Sequence, residues 1–402
     1  MVYSHDAFGL GNLRRMLAIC EHLLNSIPDL SILLLSGSPM IHEFRLPKGL
    51  DYIKLPCLNR GISGQLAAKY LGTSLEETVV LRSQLIQLAA AHFKPDILLV
   101  DKKPTGLKGE LTDTLDYLQN SLPLSKRVLL LRDILDAPKK TIGEWVRWRY
   151  YQTIQAYYDQ VLVVGMQSVF DLVKEYRLPP AIGQKVRHCG YIRKQFENSD
   201  RAHLLASMRL APNDPFVLVT PGGGEDGYSL VHTYIEGMVE LEAHGELPFR
   251  SLVLCGPEMP LVQQQQLEQL AQGCRSVIFH RFTNHLLSYM QAADVTVSMC
   301  GYNTVTEVLS MGKRAVVIPR TKPSQEQLIR AGRFAKRKWL TMIHPDKVTG
   351  RSLIETVLTK LTAPPTANDI DFDGLPNIAR CLNELTSPTR QFKPAWPSRV
   401  AC

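Results

Sequence analysis

Residues 293–320 read ADVTVSMCGYNTVTEVLSMGKRAVVIPR. The β-branched run Val295 to Ser298 predicts a buried strand that turns at Cys300-Gly301. A helix then starts around Asn303-Thr304 and stops at Gly312, and a second buried strand, Ala315 to Ile318, ends at Pro319. A glycine turn at a helix N-terminus leaves backbone N–H groups open, with about half a positive charge of helix dipole behind them. Glu307, one turn in, is placed to accept hydrogen bonds from a ribose diol. Phosphate at the turn and ribose at the acid make a nucleotide site. The plainer reading is an ordinary strand–helix–strand unit with Gly301 as turn former and Glu307 as a dipole residue.

The same alternation extends in both directions. Strands are expected at Phe216 to Thr220, Leu252 to Leu254 and Val277 to Phe279, and earlier at Val2 to Ser4, Ser31 to Leu35, Ile97 to Val100, Val128 to Leu131 and Val161 to Val164. Helices are expected at Leu13 to Leu24 and Leu81 to His92. Continuous apolar strands between helices predict parallel sheets covered on both faces. The chain is thus read as α/β, with one Rossmann-like domain over 1–190, a second over 191–372 and a tail with one short helix over 373–402. His188 to Arg193 is the expected hinge, and ligands belong at the carboxyl ends of the strands, in the cleft between halves.

Three glycine turns follow three strands: His5-Asp6-Ala7-Phe8-Gly9-Leu10-Gly11-Asn12, Pro221-Gly222-Gly223-Gly224, and Cys300-Gly301. None fits GxxxxGK[ST], and none fits GxGxxG in register, which argues against a P-loop or a dinucleotide oxidoreductase. His5 and Asp6 at the first strand tip are candidate bases, or else a turn cap and turn former. Asp101, Lys102 and Arg132 close other strands on the acceptor side, where local capping is the competing use. Glu326 and Gln327 offer groups for sugar hydroxyls, while Ser324 with Gln327 fits a capping box.

With 402 residues, 45% apolar and 21% charged, the chain suits a two-domain globular enzyme. No apolar run reaches the roughly 18 to 20 residues of a membrane span, and no signal peptide is read, so a cytoplasmic protein is expected. The net charge of +8 suits an anionic partner, with no nucleic-acid motif beside it. Arg330, Arg333, Lys336, Arg337 and Lys338 read as a solvated helix face, with phosphate or membrane-surface contact as the second reading. The eight cysteines form no CxxC pair and read as reduced, mostly buried thiols. Cys300 beside a helix start could carry a lowered pKa. Asp369-Ile370-Asp371, with Asp373, reads as a solvated turn, so neither metal nor cofactor is expected.

DVTVSMCGYNTVTEVLSMGKRAVVIPR and KPSQEQLIRA resemble the family 28 C-terminal domain of glycosyltransferases, the superfamily of the lipid II-forming N-acetylglucosaminyltransferases. HDAFGLGNLRR looks like that superfamily's N-terminal glycine loop, and DKKPTGLKGEL with LRDILDAP is similar to its "predicted glycosyltransferase" branch. The resemblance implies a GT-B fold: two Rossmann-like domains facing across a cleft, with inverting transfer and no bound metal. By position it makes Glu307 the ribose glutamate, Glu326 and Gln327 the donor-sugar residues, Gly222, Gly223 and Gly224 a diphosphate loop, and Arg281-Phe282 the place where backbone reads the base. With Cys300, Gly301, Asn303 and Thr304 these are the expected donor-binding residues; Gly9, Gly11 and Asn12 belong to the acceptor side. Asn12 stands where the family commonly has histidine, so a base role does not carry over to it, and the first strand is short.

The expected function is metal-independent hexosyl transfer from a nucleotide-sugar, UDP-linked first, to a hydroxyl acceptor that is a glycan, a lipid or a small molecule. Contact with the inner face of a membrane fits a lipid acceptor. The alternatives are a nucleotide-sugar 2-epimerase of the same fold and a non-catalytic nucleotide-sugar-binding protein. The sequence leaves the oligomeric state open.

Overall fold

The computed structural model describes residues 1–5, 11–60, 66–193, 200–245, 247–365 and 367–386; Asp6 and Gly9 lie outside them. In chain order the strands are β1 (Val2–Tyr3), β2 (Ile32–Ser36), β3 (Leu50–Lys54), β4 (Leu58–Arg60), β5 (Leu66–Ala68), β6 (Ile97–Asp101), β7 (Lys126–Arg132), β8 (Gln160–Val164) and β9 (Val186–His188). There follow β10 (Phe216–Thr220), β11 (Arg250–Leu254), β12 (Val277–His280), β13 (Val295–Ser298), β14 (Arg314–Val317) and β15 (Thr341–Met342). The first sheet runs β3-β2-β1-β6-β7-β8-β9 and the second β12-β11-β10-β13-β14-β15, with every neighbouring pair parallel. β4 and β5 form a separate antiparallel hairpin. The fold is therefore α/β with two Rossmann-like sheets, as the GT-B resemblance implies.

The central strands form because their side chains are apolar on both faces; all five residues of β10 are buried. β3, β9 and β15 carry polar or half-exposed residues and show no apolar run, which hides them from a reading by hydropathy. β9 takes up His188, so the connection between sheets begins one residue later than expected. In each sheet the strand order reverses beside the first strand, between β1 and β6 and between β10 and β13. Loops leaving those strands must splay apart, which opens a crevice at their carboxyl ends.

The expected short helix of the tail is present, and the structure qualifies the readings of the Asp-rich stretch and of the basic helix. The last helix, Gly374–Thr386, packs back on the first, Gly11–Ser26, and buries Ile378, Ala379 and Leu382. Its approach pins the Asp-rich stretch at Asp371, while Asp369 and Asp373 stay exposed to solvent as expected. Tyr191 N–H donates to the Asp371 carbonyl at 2.7 Å, and the Asp371 carboxylate accepts Asp373 N–H at 2.8 Å. The helix Glu326–Lys336 is solvated only in part: Lys336 and the following Lys338 are exposed, but the helix also bridges the two domains. Arg330 is fully buried; Arg333 pairs with Glu175 at 2.6 Å, and Arg337 donates to the Ser168 carbonyl. The expected Ser324–Gln327 capping box does not form. Ser324 Oγ accepts Glu326 N–H at 3.3 Å, but Gln325 N–H is taken at 2.9 Å by Asp136 of the first domain.

Candidate functional site

A cleft of about 870 Å³ lies between the two sheets. On one wall it is lined by Gly222 to Gly224 after β10, Phe282 after β12, Gly301, Asn303, Thr304 and Glu307 after β13, and Glu326 and Gln327 after β14. Gly11, Asn12, Arg14, Arg15 and Arg132 line it from the first domain.

Local chemistry fixes the second-domain loops. Gly224 has φ +98, and a Cβ there would lie 2.3 Å from the Cys255 carbonyl, so only glycine lets the two strand-end loops touch. Gly222 N–H donates to Thr220 Oγ1 at 3.2 Å, tying the loop to the strand end. Gly301 caps the helix Tyr302–Ser310 in extended conformation without a side-chain hydrogen bond, so the helix presents its first amides at the cleft. Glu307 is 6% exposed on the same wall. The two walls touch where Asn303 Nδ2 donates to the Gly11 carbonyl at 3.4 Å.

Glu326 accepts from Arg330 at 2.6 Å and from Arg320 at 3.3 Å. Burial opposes its ionisation, but Arg330 and Arg132 beside it hold its carboxyl below the usual range. Gln327 Oε1 accepts Arg320 N–H at 3.3 Å. Arg320 also pairs with Asp226 at 2.7 Å. The sequence reading omits Arg320, although its place directly after the proline that ends a strand is a signal for it.

Five expected residues lie outside the lining. Cys300 is fully buried and outside the lining; burial pushes its thiol up to about 12, the reverse of activation. Arg281 turns to Glu268 at 2.7 Å, leaving Phe282, 50% exposed, as the cleft residue. His5 is 5% exposed and is not among the lining residues. Burial, then Lys102, Lys103, Arg82 and Arg132, hold its imidazole well below the ordinary histidine range and therefore neutral. Lys102 also lies outside the lining, lowered to about 8 by burial and by Arg132. Asp101 is buried against Arg15 at 2.6 Å. Asn12 gives its amide to the His5 carbonyl at 2.8 Å, which makes it a strut for the loop base.

Residues 216–370 match the glycosyltransferase family 28 C-terminal domain. Solved structures extend the likeness over both domains at the level of fold. MurG of Acinetobacter baumannii superposes with a TM-score of 0.60 at 13% identity, covering 96% of this chain and 98% of that one. CalG4, the calicheamicin glycosyltransferase, gives 0.61 at 12%, covering 97% and 98%. The UDP-GlcNAc 2-epimerase of Neisseria meningitidis, solved with UDP-GlcNAc bound, gives 0.57 at 12%, covering 96% and 98%. The chain thus has the GT-B fold, which transferases and epimerases share. A search of curated protein sequences finds no match. Among the described residues no group of three or more His, Cys, Asp or Glu side chains could hold a metal, and no helix is long and apolar enough to cross a membrane.

Proposed function

We propose that this chain is an inverting, metal-independent glycosyltransferase that moves a hexosyl group from a UDP-sugar to a hydroxyl acceptor. The observation that carries it is the convergence of Gly222 to Gly224, Gly301 and Glu307 of the family 28 domain on one cleft faced by a second α/β domain. Glycine-loop amides and the helix start at Tyr302 supply the field that steadies the leaving diphosphate. Glu307 takes the ribose diol, and Glu326 with Gln327 takes the sugar hydroxyls. Phe282 covers the base.

In the transfer step the acceptor oxygen bonds to the anomeric carbon while the bond from that carbon to the phosphate oxygen breaks. The electron pair leaves on the nucleoside diphosphate, and the acceptor proton passes to a base. That role falls to Asp6, supported by its buried neighbour in sequence, His5. Residues 1–190 form the acceptor side, 191–372 the donor side, and the helix Gly374–Thr386 ties the two together.

The epimerase reading keeps a concrete basis, since an epimerase shares the fold. A thermal-shift screen with UDP-, GDP-, TDP- and ADP-sugars, with and without EDTA, tests the proposal. A shift for one nucleotide that survives EDTA and vanishes in Glu307→Ala is expected. No shift with any nucleotide-sugar overturns the proposal, and interconversion of the donor alone would assign the epimerase.

A further inference from the structure

The two walls of the cleft carry opposite charge. Among the described residues, the first-domain lining holds Arg14, Arg15, Arg45 and Arg132 against one carboxylate, Glu21. The facing wall holds Glu225, Asp226, Glu258, Glu307 and Glu326 against Arg320. Within the basic wall, Asp101 neutralises Arg15 at 2.6 Å. Arg132 makes no ion pair or hydrogen bond with a described residue, and its Nε is sealed from solvent without a partner. Burial, with Arg15 and Arg330 nearby, works against its charge; Glu326 and Asp101 only partly offset them. The residue as a whole is only half-buried and lines the cleft, so its guanidinium is available to an anion with a forked face. Arg132 ends β7 one residue before Asp133, which grips Arg330. It therefore stands on the acceptor wall beside Glu326, where the two substrates would meet.

We propose that the acceptor carries an anionic group, phosphate or carboxylate, near the hydroxyl that is glycosylated, and that Arg132 reads it. This rests on the transferase reading above. The donor diphosphate is the competing owner of Arg132, but the glycine loops and helix start assigned to it lie on the opposite wall. Arg132 is a specificity residue in this scheme, and neutral alcohols of the same shape are poor acceptors.

The test measures thermal shifts with inorganic phosphate, glycerol 3-phosphate, glycerate and glycerol. Each is added to the free chain and to the chain saturated with the nucleotide that stabilises it. Glycerol 3-phosphate or glycerate should raise the melting temperature in both states, and glycerol should not. Arg132→Met should weaken that anion binding at least about tenfold and keep its shift with nucleotide. The retained nucleotide shift shows that the variant folds. Arg132→Lys keeps the charge, loses the fork, and should fall between. An anion shift that disappears once nucleotide is bound assigns the residue to the diphosphate and overturns the inference. So does an anion shift that persists in Arg132→Met, or none at all. A nucleotide-responsive chain without any anion response sinks only this inference; a chain without nucleotide response sinks the reading beneath it.

Discussion

Arg330 donates from Nε and Nη2 to the two carboxylate oxygens of Asp133 at 2.8 and 2.9 Å, with both side chains out of solvent. The same guanidinium reaches Glu326 at 2.6 Å and the Cys300 carbonyl at 2.8 Å. One side chain therefore joins the end of β7 in the first domain to the donor-side helix and to the glycine turn after β13.

Breaking this pair from one side leaves a buried charge short of partners, which costs about 3–5 kcal/mol. Asp133→Ala should lower the melting temperature by several degrees and weaken nucleotide-sugar binding, because the helix carrying Glu326 and Gln327 loses its anchor. Asp133→Leu with Arg330→Met should recover much of the stability, since two apolar side chains replace two buried charges. Glu326 then loses its main partner, so donor binding should stay weak. Calorimetry of the three variants checks this, and an Asp133→Ala melting curve that overlays wild type would remove the anchoring role.

Gly224→Ala tests the loop geometry. Its φ of +98 and the 2.3 Å approach to the Cys255 carbonyl allow no Cβ without moving backbone. Gly312, at φ +66 with open space around it, supplies the comparison. Gly312→Ala should show the backbone penalty alone, about 1 kcal/mol. Gly224→Ala should cost more than that and also reduce nucleotide binding. Equal losses of stability and unchanged binding in both would show that the loop yields freely.

Much of this was legible in the chain. Val295 to Ser298 and Phe216 to Thr220 declare themselves because strands buried on both faces must be apolar throughout. Gly222, Gly224 and Gly301 mark the strand-end loops of the cleft because close approach and helix starts select for glycine there. Arg330 misled because a helix read in isolation turns its charges to water. Only the approach of β7 from nearly 200 residues away supplies the carboxylate that lets it be buried. The i,i+4 spacing of Glu326 and Arg330 was a local hint that a pair could form. The cleft position of Arg132 and the burial of His5 depend on how two sheets stack, and no local pattern reports that.

Cys300 offers a direct check of the site's electrostatics. Its thiol is fully buried and raised to about 12 by that burial, despite the adjacent helix start and Arg330. Peptide mapping after iodoacetamide treatment at pH 8 should find it unlabelled in the native chain and labelled after denaturation. Cys300→Ser should retain nucleotide binding. Rapid native labelling at this position would restore the activated-thiol reading.

His5 ties stability to pH. Its imidazole is neutral in the folded chain, held well below the ordinary value of 6.5 first by burial and then by Lys102, Lys103, Arg82 and Arg132. The unfolded chain takes up a proton at this residue near its ordinary pKa, while the folded chain does not. Stability is therefore full above about pH 6.5 and declines as pH falls toward the folded value, by at most about 1.4 kcal/mol per pH unit for one such group. His188 is lowered in the same sense and adds to the slope. His5→Gln removes one contribution and leaves those of His188 and of the buried N-terminal amine, lowered to about 5, so the drop in melting temperature between pH 7 and pH 5.5 should shrink without vanishing. The same variant separates support from catalysis. A buried neutral support predicts reduced kcat with no shift in the acid limb of the pH–rate profile, whereas Asp6→Asn should abolish turnover and leave nucleotide binding intact. A His5→Gln enzyme that loses an ionisation near pH 6.5 from its rate profile would return the base role to the histidine.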